Sequence, residues 1–79
     1  MRLTLNTQMQ NRLLIWIREN GLNQARVAVA VGLSTAWVSK RVRGHVPMTD
    51  EDRKLIRDAC SELVGKRVRM AELFEPEAA

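Results

Sequence analysis

The chain has one cysteine, one histidine and three aromatic residues among 79 positions. Cys60 alone cannot close an internal disulfide, and secreted domains this small are usually held by several, so the count predicts an intracellular, cytoplasmic protein. His45 has no second ligand near it, and structural zinc takes a full tetrahedral set, so no metal site is expected. Trp16, Trp37 and Phe74 are too few to dominate a core, which must be mostly aliphatic. The longest apolar run, Leu13 to Ile17, is far too short to cross a bilayer. Met1 to Leu5 carries one cation without an apolar run behind it, so no signal peptide is expected. Acidic residues are nearly missing from the first half. Residues 1–45 hold seven cations against Glu19 alone, a balance of +6, whereas residues 46–79 hold six cations against eight anions, −2. A basic N-terminal half points to a polyanionic partner, provided the charge falls on one face.

What is present is helical periodicity broken by glycine. The length predicts one domain over 1–79, which can fold alone and gains from a second subunit. A first helix is expected from about Thr7 to Asn20, capped by Asn6 or Thr7, with Met9, Leu13, Trp16 and Ile17 on one face. A second starts at the Asn23 cap, turns Val27, Ala28 and Val31 inward, and stops at Gly32. A third, "LSTAWVSKRVRG", opens at the Ser34 cap and carries Val38 and Val42 as its buried stripe. Ala36, Ser39, Lys40 and Arg43 then share an outer face, and Trp37 and Arg41 lie on a flank. Val46 and Met48 are expected to pin the following loop. The fourth helix begins with a capping-box-like pair, Thr49 and Asp52, and carries Leu55, Ile56, Ala59, Cys60, Leu63 and Val64 as its stripe up to Gly65. A short last turn, "MAELF", puts Met70, Leu73 and Phe74 on one side. The expected class is all-α, with four main helices and a short C-terminal one; the only strand signal is a brief "VRM".

Two short helices separated by "VGLS" form a helix-turn-helix arrangement, with small Ala28 at the crossing, Gly32 at the turn, and Leu33 and Val38 carrying the core across the corner. The stretch "LNQARVAVAVGLSTAWVSKRVRG" resembles the helix-turn-helix of the phage repressor and Cro family (lambda repressor-like, XRE-type). The likeness rests on the opening "LNQA", Ala28, Gly32, the apolar Val27, Val31 and Val38, and the closing Gly44. It is strong over Leu22–Gly44, the motif proper being about 23–44, and looser over the first and fourth helices. One position departs. Where the family has an apolar residue late in the third helix, this chain has Arg41 followed by Val42. Either the helix is rotated to bury Val42, or the Arg41 stem packs while its head reaches out.

The resemblance implies a sequence-specific double-stranded DNA-binding transcriptional regulator, a Cro-like repressor of a phage or prophage that binds a palindromic operator as a homodimer. Thr35, Ala36, Ser39 and Lys40 would face base edges, and Asn23, Gln24, Arg41 and Arg43 would meet the phosphate backbone. A major groove about 12 Å wide admits one helix, which explains why its leading residues are small or polar. The 66–79 extension offers Met70, Leu73 and Phe74 as a dimer contact, unless they cover the core beside the fourth helix. Two other readings stay open: a promoter-binding antitoxin that also holds a toxin, and a protein-interaction module that has lost DNA binding. No nucleophile–base pair, phosphate-cradling glycine loop or cleft-facing carboxylate pair is recognisable, so neither enzyme activity nor a cofactor nor membrane association is expected.

Overall fold

The computed structural model describes residues 12–74, which form five helices and no strand. They are α1, described over 12–19, α2 (Gln24–Val31), α3 (Thr35–Val42), α4 (Asp50–Val64) and α5 (Met70–Leu73). The expected Asn6 or Thr7 cap and the Met9 contact lie outside the described residues. None of the described helices is long and apolar enough to cross a membrane.

Each start is set by a side chain that accepts a backbone proton the helix cannot use itself. The Asn23 side chain accepts from the Arg26 N–H at 2.8 Å, and the Ser34 Oγ accepts from the Trp37 N–H at 3.1 Å. At α4 the exchange is reciprocal: Thr49 Oγ1 accepts from the Asp52 N–H at 3.0 Å, and the Asp52 carboxylate accepts from the Thr49 N–H at 3.2 Å. Aspartate therefore completes this capping box in place of the usual glutamate. Asp50, Glu51 and Asp52 also meet the positive end of the α4 dipole.

The turn between α2 and α3 has only three residues, Gly32 to Ser34. Gly32 sits at φ +89°, and its N–H and that of Leu33 donate back to the last carbonyls of α2. That left-handed geometry reverses the chain sharply while satisfying the helix end. It also turns Leu33 outward. Its side chain is 45% exposed and does not carry the core across the corner, contrary to the expectation from sequence.

One aliphatic core joins the elements: Leu13 and Ile17 of α1, Val27 and Ala28 of α2, Val38 and Val42 of α3, Ile56 and Cys60 of α4, and Val68 and Leu73 beyond it. Each fully buried aliphatic side chain contributes about 1.5–3 kcal/mol. Met48 packs against this core from the loop. Leu55 is exposed, one position off the buried stripe that begins at Ile56. The "VRM" segment forms no strand; Val68 is buried and its N–H donates to Ser61 Oγ at 3.0 Å. Leu73, one of the expected dimer contacts, is fully buried in the chain's own core. Met70 and Phe74 are only half-buried, and Phe74 also packs inward. Arg12 is half-buried and donates to the Ala71 carbonyl at 2.8 Å, linking α1 to α5.

Two outcomes follow from this packing. Burial pushes the Cys60 thiol up to about 12, so it is not a nucleophile at neutral pH. Labelling with a disulfide reagent at pH 8 should be slow in the native protein and complete rapidly in denaturant; fast native labelling would contradict the burial. At Gly32 a Cβ would meet open space, yet the positive φ remains strained for any L side chain. Gly32→Ala should therefore lower unfolding stability by about 1–2 kcal/mol in urea titration.

Candidate functional site

The surface that concentrates polar and cationic groups is the outer side of α3. Val38 and Val42, one turn apart, are both buried to within 1% of completely, which fixes the helix's rotation. Thr35, Ala36, Lys40 and Arg43 are then exposed and Ser39 is half-exposed. The helix begins with small side chains and ends with cations. Its C-terminal carbonyls are satisfied by the chain that follows, because His45 N–H donates to Lys40 O at 2.8 Å and Gly44 N–H to Arg41 O at 3.1 Å. Neither Lys40 nor Arg43 has a side-chain hydrogen bond or an ion pair among the described residues.

Three of the acids on α4 are paired with arginines. Asp50 pairs with Arg53 at 3.0 Å, Asp58 with Arg57 at 2.9 Å, and Asp52 with Arg41 at 3.1 Å.

Arg41 does not join that outer face. Its Nε donates to Asp52, its Nη1 donates to the Trp37 carbonyl at 3.2 Å, and its guanidinium lies 4.1 Å from the Trp37 ring centre. The stem packs, Val42 is buried as well, and the head turns inward to α4 rather than out to solvent. Arg41, expected at the phosphate backbone, here braces α3 against α4. Sequence reasoning missed Asp52 as its partner because the two lie eleven positions apart on different helices, beyond any periodic signal.

At the start of α2, Asn23 and Gln24 occupy the cap and the first helical position. Asn23 is exposed and its Oδ1 is taken by the Arg26 N–H, while Gln24 is half-buried. His45 is exposed in the loop after α3, and no group of three His, Cys, Asp or Glu able to hold a metal ion occurs among the described residues.

Burial raises the Asp52 carboxyl, but the Thr49 amide and the Arg41 guanidinium together outweigh that and hold it below its ordinary value of 3.8. A depressed carboxyl stabilises the fold above the unfolded value and loses that contribution as pH falls below it. Native stability should therefore decline below about pH 4, and less steeply in Asp52→Asn, followed by thermal unfolding from pH 6 to 2. A double-mutant cycle of Arg41→Ala and Asp52→Asn should give a coupling of about 0.5–2 kcal/mol; strict additivity would show that the brace contributes nothing.

No family model, no curated protein and no solved structure matches this chain.

Proposed function

We propose that the protein binds double-stranded DNA sequence-specifically as a homodimer, with α2 and α3 acting as a helix-turn-helix of the phage repressor and Cro type. The observation that carries the reading is the outer side of α3. A helix held in one rotation by two buried valines exposes a small leading end and two cations without side-chain partners among the described residues.

Each exposed group has a matching feature on duplex DNA. The methyls of Thr35 and Ala36 suit thymine methyl groups, and their small size lets the backbone approach the groove floor. Ser39 and Lys40, one turn further on, suit base-edge acceptors, with the ammonium directed to guanine O6 and N7. Arg43, beyond the last turn, suits a phosphate. Gln24 and the Nδ2 group of Asn23, at the positive end of α2, suit the phosphates on the other side of the groove. Arg41 is absent from this set; it holds α3 at the angle the other side chains need. A dimer bound in this way acts as a repressor in a bacterial or phage-infected cytoplasm by covering an operator.

The reading is tested by selection from a randomised duplex pool, followed by titration of the winners at increasing salt. An enriched inverted repeat is expected, with affinity falling as salt rises. Lys40→Ala should cost about 1–3 kcal/mol on the selected site and relax preference at one position, whereas Arg43→Ala should weaken all duplexes alike and reduce the salt slope by about one. Absence of duplex binding at low salt would overturn the proposal, and a uniform loss on every sequence for Lys40→Ala would remove that residue from the readers.

A further inference from the structure

α2 packs against both α3 and α4, whereas α3 and α4 make no extended contact of their own. Between them the chain runs through the irregular segment 43–49. Among the described residues, the polar link between the two helices is a single side chain. Arg41 Nε donates to Asp52 Oδ2 at 3.1 Å, with only 17% and 15% of the two side chains exposed. Both ends of this bridge are held in turn. On α3, Arg41 Nη1 donates to the Trp37 carbonyl at 3.2 Å, and the guanidinium lies 4.1 Å from the Trp37 ring centre. On α4, the same Asp52 Oδ2 accepts from the Thr49 N–H. The Trp37 N–H donates to Ser34 Oγ. Contacts thus run without a gap from the cap of α3, through Trp37, Arg41 and Asp52, to the start of α4.

An arginine anchored at three points cannot turn to a phosphate without leaving them. The exposed cations stand on either side of it, Lys40 immediately before and Arg43 just beyond Val42. The place of Arg41 on α4 therefore fixes the tilt at which Ser39, Lys40 and Arg43 meet an external surface. Base edges are read by hydrogen bonds that weaken steeply with misalignment. Phosphate contacts carry no sequence information. Loosening the bridge thus affects discrimination more than general attraction. The identity of the residue in the first turn of α4 also finds a reason. Glutamate is the usual acid of a capping box. Here one carboxylate oxygen serves both the Thr49 amide and Arg41, and the shorter aspartate keeps that oxygen close to the helix start.

We infer that Asp52 is a positioning residue for the outer surface of α3: acting through Arg41 and Trp37, it sets sequence discrimination while touching no DNA. The inference rests on the reading of α3 as the helix that enters the groove. It has a sign opposite to simple electrostatics. A carboxylate repels phosphate, so removing one from a DNA-binding protein ordinarily strengthens binding to every duplex. Removing this one weakens binding to the selected site.

The test is titration of the selected duplex and of an unrelated duplex at several salt concentrations, with amide hydrogen exchange of the free full chain alongside. Asp52→Asn keeps an oxygen for the Thr49 amide and removes the charge that Arg41 meets. It should weaken binding to the selected duplex by about fivefold or more, the lower end of one lost base contact, and leave the unrelated duplex unchanged or slightly tighter. Arg41→Met keeps the stem beside Trp37 and should weaken the selected duplex similarly, with the salt slope unchanged because no phosphate contact is lost. The double variant should be no weaker than either single one, since both break the same bridge. Thr49→Ala removes only the Oγ1 that caps α4, while the backbone N–H still holds Asp52. It should lower stability and spare discrimination. In the free protein, exchange at the amides of α3 should quicken in Asp52→Asn relative to those of α1. Wild-type affinity in Asp52→Asn, or a salt slope lowered by about one in Arg41→Met, would overturn the inference while the DNA-binding reading stands. An equal loss of discrimination in Thr49→Ala would overturn it as well, because stability alone would account for the effect. A wild type that binds no duplex would sink that reading instead. Quickened α3 exchange in Asp52→Asn would then sustain the positioning of α3 by Asp52, and unchanged exchange would overturn it too.

Discussion

Val38 and Val42 stand one helical turn apart on α3, and both are excluded from water. Burying them together permits only one rotation of an eight-residue helix, and everything that α3 presents to the outside follows from it. A helix this short has little stability of its own. It exists because two valines are worth more inside than outside, and because Ser34 and the loop after Arg43 satisfy its ends. The exposed order, from small residues to cations, is a consequence of that inward stripe.

Arg41 adds a second constraint on the same helix. The valines set the rotation, and the contact of Arg41 with Trp37 and Asp52 ties the end of α3 to the beginning of α4. Asp52 takes part in two structures at once. Its carboxylate closes the α4 capping box with Thr49 and receives Arg41, so the helix start and the helix–helix contact share one group. That economy separates the cations of α3 by role. Arg41 is neutralised internally, while Lys40 and Arg43, on either side of it in the chain, have no ion pair among the described residues. A basic cluster in sequence is thus two different things in space.

The apolar surface divides in the same way. Leu73 and Val68 sit in segments rich in charged residues, yet both are core. Val29 and Leu33 sit in the most hydrophobic stretch of the chain, yet both face outward. Local composition predicts neither, because burial depends on which side of an element meets its neighbour.

Much of the fold was legible in the order of residues alone. The bounds of α2, α3 and α4, their caps at Asn23, Ser34 and Thr49, the left-handed turn at Gly32 and the buried pairs Val27–Ala28, Val38–Val42 and Ile56–Cys60 all rest on interactions within a few positions. Spacing along a helix and hydrogen bonds at its ends are local, so they leave a local mark. The outer residues of α3 were legible for the same reason, being the complement of its stripe. The direction of Arg41, the burial of Leu73 and the exposure of Leu33 and Val29 were decided only by the tertiary structure. Each depends on a group from another element, or on the lack of one: Asp52 for Arg41, the common core for Leu73, and no covering helix over Val29 among the described residues. Periodicity specifies which residues share a side; only packing decides which side finds a neighbour.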